Sequence, residues 1–452
     1  MYGSSPIARA YYLNMYAKMP LHPSFCWASI CLDVAFGTIS RDDLAKSFLL
    51  QAQSGASDFH GLGGDTQAVR QLKGALASYG LAMRLSVSRV SESDPHCLAH
   101  TLSDPEIAQV VPDIRDFVCG YMYTEQMSFT EKVRAIFAGV PSYFVRDLKA
   151  PTGFSPAAWG EWLDLGIAGL PCTDISKIGL RHCLNGKTME LWAVFAHKHR
   201  MQGTKCIIIE NLQDEIVVWL IYYFFSDMYH IHYVTMDPED VGYQLIRRTR
   251  LGFVLLKKGV LHFHLDFYAM YNLMVAELRS KTNTQPCDCL LGTQADIAEE
   301  AAEMTCARRH LKKRRLSTIY CARDYCTERE REVIKHYKKS SHHRHVCKKN
   351  VIVYLGDDGK YLHGISDQRI STFRHSGGLY WALGHDRWVL VKEMLAAMGW
   401  PTFPHLSHAA LVPIAIPKMP KSILRKKIGN SMHVANLGVL ILCALLCTSS
   451  GP

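Results

Sequence analysis

Hydrophobic and polar positions along the chain follow two periodicities that predict strands and helices. From Ala82 to Val90 apolar and polar residues alternate with period two, as in a half-buried strand. Lys205-Cys206-Ile207-Ile208-Ile209 is a short β-branched run that fits a strand buried on both faces. Gly252 to Leu256 has the same character, and Asp164 to Gly169 reads as a strand running into a proline. Helical stretches separate these runs between about 58 and 256. Strands alternating with helices predict an α/β fold, a mostly parallel sheet with helices on both faces. Gln51 to Ser57 is a polar stretch and predicts no buried strand.

The pattern changes near Leu290. An acidic, helix-like stretch, Ile297 to Met304, precedes a dense basic run, Arg308 to Arg315, and later a second basic stretch, His336 to Lys349. From about 385 the chain reads as globular again. Val439 to Cys447 is an apolar run too short to span a bilayer, and it predicts a buried terminal helix. No internal repeat is visible.

Composition changes this picture little. Of the 452 residues, 48% are hydrophobic and 20% charged, enough for one large domain and a smaller one. The formal net charge of +10 suits a polyanionic partner such as nucleic acid, and equally a merely basic soluble protein. The 15 cysteines are scattered without the spacing of a small secreted framework, and Met1 to Ser40 lacks signal-peptide order. Reduced thiols in an intracellular protein are the expectation.

Six short segments could carry chemistry. Asp58-Phe59-His60-Gly61-Leu62-Gly63-Gly64 has glycines spaced for a tight turn that lets a ligand approach the backbone, although such turns are commonly structural. Glu92 follows the alternating stretch, where nucleotide-binding α/β folds carry an acid for ribose hydroxyls. Asp113-Ile114 could offer an acid and an apolar face to an adenine ring. Leu170-Pro171-Cys172 puts a cysteine on a proline-stiffened loop at a strand end, exposed for attack, though most free cysteines are buried and inert. Glu210-Asn211 follows the β-branched strand and could offer a proton or a hydrogen bond to a substrate ring. Arg248 and Arg250 alternate on an extended segment, which would put both on one face, ready for a phosphate or a base edge.

The order of these segments, followed by a basic variable region and then Ile428-Gly429-Asn430-Ser431, resembles the cytosine-5 DNA methyltransferase family over roughly residues 58 to 445. Gly186 to Trp192 resembles the family's helix-start element after the cysteine loop. Arg387 to Pro401, with Glu393 and Met398-Gly399-Trp400-Pro401, resembles the element after the recognition region. Leu170 stands where the family has a first proline, and Ile246 where it has a glutamine before the arginine pair.

The resemblance implies a Rossmann-like S-adenosylmethionine methyltransferase domain with a smaller inserted target-recognition domain. The division would be an N-terminal extension to 55, a first catalytic part over 56–257, target recognition over 258–384, and a C-terminal segment, 385–452, completing the catalytic domain. It implies a flipped-out cytosine attacked at carbon 6 by Cys172, with Glu210 on ring nitrogen 3 and the exocyclic amine, and Arg248 and Arg250 holding the base and its phosphate. S-adenosylmethionine would be lined by Phe59, Gly61, Leu62, Gly63, Gly64 and Pro171, with Glu92 on the ribose and Asp113 and Ile114 on adenine. Asn430 and Ser431 would close that site. The implied partner is double-stranded DNA, not a membrane, and the expected state a monomer in the nucleus, or in the cytoplasm of a bacterial or viral host.

Cys321 and Cys326 with His342, His343, His345 and Cys347 could bind zinc, but the spacing departs from common patterns and no metal is expected. Three other readings stay open: a non-catalytic nucleic-acid-binding relative, a transfer-RNA methyltransferase, and a cysteine hydrolase with a histidine partner. The Cys-Phe-Thr element of the transfer-RNA branch is not found.

Overall fold

The computed structural model describes residues 21–122, 124, 126–157, 163–176, 182–307, 321–343, 348–357 and 369–451. The chain forms two compact units. One comprises Asp33–Met236, Thr249–Leu273 and Leu437–Pro452; the other comprises Met1–Leu32, Asp237–Arg248 and Met274–Asn436.

The first unit is built on a seven-stranded sheet. Its strands are β1 (Ser54–Asp58), β2 (Ser86–Ser91), β3 (Gln109–Val111), β4 (Leu165–Ala168), β5 (Cys206–Leu212), β6 (Tyr229–Met236) and β7 (Arg250–Lys257). Their spatial order is β3-β2-β1-β4-β5-β7-β6. The first five are mutually parallel, while β7 runs antiparallel to β5, and β6 antiparallel to β7. The α/β expectation therefore holds, with an antiparallel margin at one side.

The helices that follow the strands are α1 (Gly64–Ser78), α2 (Pro95–Leu102), α3 (Phe129–Phe137), α4 (Thr188–Gln202) and α5 (Glu215–Phe225). Trp192, Phe195 and Ala196 of α4, Leu220 and Phe224 of α5, and Ile207 and Ile209 of β5 share one apolar core. Burying side chains on both faces is what makes β4 and β5 continuous apolar runs. Between β3 and β4 lie two short antiparallel pairs, Val118–Cys119 with Val140–Pro141 and Phe144–Arg146 with Phe154–Pro156.

Two expectations change. Ser54–Asp58 is a strand after all, in the middle of the sheet between β2 and β4. Its small residues leave room for close neighbours, and its buried carboxylate has buried partners, so low hydrophobicity did not exclude it. The strand expected over Ala82–Val90 begins only at Ser86 and runs to Ser91.

The other unit has its own core, around Trp381, Trp388, Tyr337, Val351 and Leu379. These pack a three-stranded antiparallel sheet, β8 (Ile352–Tyr354), β9 (Tyr380–Ala382) and β10 (Arg387–Trp388), against α6 (Gln294–Ala307) and α7 (Glu328–His343). The acidic stretch of α6 meets basic partners: Glu300 pairs with buried Arg425, and Glu299 and Glu303 hold Lys421 at 2.6 and 2.9 Å. The basic run Arg308–Arg315, His345 and Cys347 lie outside the described residues. The last helix, α8 (Val434–Cys447), is buried along its length, as the apolar run predicts. Among the described residues no helix is long and apolar enough to cross a membrane.

Candidate active site

The carboxyl ends of the parallel strands collect most of the chemically promising residues in the sheet unit. In open α/β sheets a crevice forms where strand order reverses, and here β1 sits between β2 on one side and β4 on the other. The glycine loop leaves β1 there. Phe59 and Gly61 take left-handed backbone angles, φ 56° and 59°, and Gly63 takes φ 82° as the residue preceding α1. A Cβ on Gly63 would lie 2.8 Å from His60 Nε2 and 2.9 Å from Thr66 Oγ1, so only glycine fits. Leu62 is buried beneath the loop, and Phe59 packs against Phe195 of α4.

Glu92, just past β2, ties this loop down. Its Oε2 accepts a hydrogen bond from the Gly61 amide at 2.6 Å, and its Oε1 accepts one from Asp94 N at 2.7 Å. Asp94 in turn caps α2. Glu92 is half-buried, so its remaining lone pairs stay within reach of a ligand.

Under the loop lies a buried polar network that the sequence did not reveal. Asp58, the last residue of β1, receives Lys198 Nζ at 2.6 Å, His199 Nε2 at 2.8 Å and Ser91 Oγ at 2.5 Å. His199 Nδ1 lies 2.8 Å from Thr204 Oγ1. Burial keeps His199 below its ordinary pKa and hence neutral, with Nε2–H donating to Asp58 and Nδ1 accepting from Thr204. Burial would raise the Asp58 carboxyl, but Lys198 and His199 outweigh it and hold it well below the usual carboxylate range. Gly166 of β4 permits the approach, since a Cβ there would lie 2.6 Å from His199 Cε1.

At the end of β3, Asp113 caps the short 3₁₀ turn Ile114–Phe117 and is gripped by Arg115, with Nε at 3.0 Å and Nη2 at 2.6 Å. Burial works against the charge of Asp113, but Arg115 prevails and lowers its pKa. Arg115 also lies 3.8 Å from Glu190 on α4. Burial and Glu190 push the Tyr121 phenol up to about 12. Ile114 is buried in the core. The acid thus already has a partner, and Arg115, Glu190 and Tyr121 join it at this strand end.

The cysteine loop leaves β4 and is pinned at three points. Asn211 Nδ2 donates to Leu170 O at 3.0 Å, Trp192 Nε1 donates to Pro171 O at 2.9 Å, and Cys172 O accepts from Ile175 N and Ser176 N at 3.0 and 2.8 Å. Asp174 then accepts from the Thr188 amide and hydroxyl at 2.9 and 2.6 Å, which ties the loop to the start of α4. Cys172 is half-buried, neither sealed in the core nor fully free. Residues 177–181 of the segment lie outside the described residues.

Glu210 sits near the end of β5, and antiparallel β7 brings Arg250 beside it, with Nε 3.3 Å from Oε1. Because β4 and β5 run parallel with Ala168 opposite Ile209, Glu210 and the cysteine loop emerge from the same end of the sheet. Arg248 parts from Arg250: it belongs to the other unit, where its buried side chain donates from Nη1 to Gly429 O at 3.1 Å. Each arginine thus meets a partner of its own unit, Arg248 meeting Gly429 and Arg250 meeting Glu210. In that other unit Asn430 N and Ser431 N bond back to Lys427 O and Ile428 O, and Ser431 is buried.

The sheet unit thus assembles Phe59, Gly61, Leu62, Gly63, Gly64, Glu92, Asp113, Ile114, Pro171, Cys172, Glu210 and Arg250 on the ends of five neighbouring strands and of β7. Sequence reasoning assigned no role to Asp58, Lys198, His199, Trp192, Arg115 or Glu190, although Asp58, Glu190 and Trp192 lie in segments it singled out. The one available signal was the polar run His197-Lys198-His199-Arg200 following the apolar first half of the helix. Among the described residues no group of three or more His, Cys, Asp or Glu is arranged to hold a metal ion.

No family model and no curated protein matches the sequence. Solved structures similar to the chain include a methyltransferase of Entamoeba histolytica, EhMeth, at 11% identity and TM-score 0.46. They also include the Dnmt2 methyltransferase of S. pombe, at 11% and 0.39, and a putative DNA modification methyltransferase from an E. coli prophage, at 14% and 0.44. Each comparison covers 87% of this chain and 98% of the other. Scores of this size leave the superpositions loose, and the functional reading stands on the residues of this chain.

Proposed function

We propose that the chain is an S-adenosylmethionine-dependent methyltransferase acting on carbon 5 of cytosine in double-stranded DNA, with Cys172 as nucleophile. The observation that carries the reading is the Asn211–Leu170 hydrogen bond, which ties the strand end bearing Glu210 to the loop bearing Cys172. A thiol and a carboxylate held on one rigid platform suit addition to an aromatic ring that resists nucleophiles.

The residues fit the cofactor. A tight loop with open space at Gly61 can offer backbone to a ligand, and Glu92 keeps a half-buried carboxylate beside it for hydroxyl groups. When bound, the cofactor supplies an electrophilic methyl group. Phe59 and Leu62 would line its loop side, Glu92 would accept from the ribose hydroxyls, and Ile114 with the Arg115–Asp113 pair would border the adenine.

On the substrate side, Cys172 would add as thiolate to carbon 6, shifting the ring electrons to carbon 5, where the cofactor, when bound, would supply the methyl group and be left as the thioether S-adenosylhomocysteine. Glu210 engages ring nitrogen 3 and the exocyclic amine while Arg250 fixes the carboxylate. Loss of the carbon 5 proton to a base drives out the thiolate and restores the ring double bond. In this reading the basic region within 258–384 meets the phosphates, a salt-sensitive contribution blind to sequence. The net charge of +10 supports a polyanionic substrate.

The test is methyl transfer from labelled S-adenosylmethionine to duplex DNA and, in parallel, to transfer RNA, with Cys172→Ser as control. Label in DNA that disappears with Cys172→Ser is the expected result. Label in RNA alone replaces DNA by RNA as substrate. Absence of both transfer and cofactor binding overturns the reading.

A further inference from the structure

The glycine loop is held by more than its glycines. His60, inside it, is buried, and its Nδ1 lies 3.0 Å from both Asp65 Oδ1 of α1 and Ser57 Oγ of β1. Its Nε2 occupies the space a Gly63 side chain would need. The imidazole is thus a wedge under the tip of the loop, with Asp65 fixing its orientation from the first turn of the following helix. A second imidazole, His100 of α2, is close enough to interact with Leu62 and with His60. The loop is tethered at Gly61 by Glu92 and at Gly63 by Thr66, whose hydroxyl donates to Gly63 O at 2.8 Å, while His60 fills the space beside Gly63.

We propose that His60, gripped by Asp65, is a positioning residue that shapes the glycine loop for its ligand and carries a proton while doing so. A buried carboxylate is compensated by a facing imidazolium, and Asp65, wholly buried, turns Oδ1 to His60. Burial by itself would lower the imidazole's affinity for a proton. Asp65 counters that, Glu92 and Asp104 add to it, and His60 ends above its ordinary 6.5. His100 moves the other way, lowered by burial and by the charge of His60. The groups facing His60 are therefore Asp65 on α1, Glu92 beyond β2, His100 on α2 and Asp104 beyond it, with Arg70 of α1 holding Asp104. Three carboxylates against one neighbouring neutral histidine favour the protonated form.

The sign follows directly. A group whose folded pKa lies above its unfolded value stabilises the fold below the unfolded pKa and ceases to do so as pH rises through the folded one. The loop is therefore best ordered when His60 is charged, and deprotonation loosens the wedge. Cofactor affinity should fall as pH rises, by up to about tenfold for each unit by which ligand binding raises the His60 pKa.

This rests on the methyltransferase reading only for the identity of the ligand. The probe is S-adenosylhomocysteine, titrated calorimetrically between about pH 6 and about pH 9 into wild type, His60→Gln and Asp65→Asn, with thermal unfolding of each at the same pH. In parallel, amide resonances of protein labelled with [15N]glycine report Gly61, Gly63 and Gly64. We expect wild-type affinity to weaken about tenfold over this range. His60→Gln should bind more weakly and without that pH dependence. In Asp65→Asn, which keeps the imidazole and removes its anion, the same weakening should begin at lower pH. The loop glycine resonances should move with the same midpoint as the affinity. A pH-independent wild type, or a His60→Gln profile matching it, overturns the inference. If the probe binds at no pH, the methyltransferase reading falls, and the glycine resonances still decide: movement with His60 upholds its role, and static resonances refute it.

Discussion

Replacing Lys198 by methionine tests the buried network at the end of β1. Lys198 and Asp58 keep only 3% and 1% of their side chains exposed, and their 2.6 Å contact is direct. Solvent screening is therefore minor, and this is not a surface pair. Lys198→Met leaves a buried carboxylate with His199 and Ser91 alone, which costs about 3–5 kcal/mol. Asp58→Leu strands the ammonium at about the same cost. The double variant removes both charges and leaves the buried His199 N–H and Ser91 hydroxyl without their acceptor, about 1–3 kcal/mol for each. The single losses should thus sum to about 6–10 kcal/mol while the double variant loses less, a coupling of a few kcal/mol. Urea titration read by pulse proteolysis supplies the comparison. With a slope of about 3 kcal/mol/M, Lys198→Met should lower the midpoint by about 1 M or more. A carboxyl held below its ordinary 3.8 stabilises the fold above that value and loses its contribution as pH falls through the lower, folded one. Acid unfolding of Lys198→Met should therefore begin at higher pH than in wild type. A loss under about 1 kcal/mol for Lys198→Met, as for an exposed pair, or additive losses in the double variant, would refute the network argument.

Three further outcomes are expected. Gly63→Ala places a side chain at φ 82° and 2.8 Å from His60 Nε2, so it should cost about 1–2 kcal/mol and weaken cofactor binding, read by melting temperature and calorimetry. Glu92→Ala frees the Gly61 amide and removes an ionised acceptor worth about 1.5–3 kcal/mol, so cofactor affinity should drop about tenfold or more. Alkylation of Cys172 should be unchanged in that variant, and new alkylation of buried thiols such as Cys31 and Cys206 would point to general unfolding. Trp192→Phe removes the 2.9 Å bond to Pro171 O, about 1 kcal/mol, and should lower turnover in the methyl-transfer assay while leaving cofactor affinity intact.

The sequence by itself determined the elements whose side chains face one kind of environment. The Cys206–Ile209 stretch of β5 and the Leu437–Cys447 part of the terminal helix α8 were legible because every position there is buried, so an unbroken apolar run is nearly their whole description. The turn at Gly61–Gly64 and the exit of Cys172 from a strand were legible because glycine readily adopts left-handed backbone angles and proline fixes its own φ. Only the tertiary structure decided the rest. β1 looked polar because Ser54, Ser57 and Asp58 are satisfied by Asp164, His60, Lys198 and His199, some of them more than a hundred residues away. Arg248 and Arg250 looked like a pair because spacing records neighbours along the chain, while their partners, Gly429 and Glu210, come from different compact units. Likewise, that β7 runs antiparallel beside β5, bringing Arg250 to Glu210, is a matter of strand order, which no local pattern of hydrophobic residues encodes.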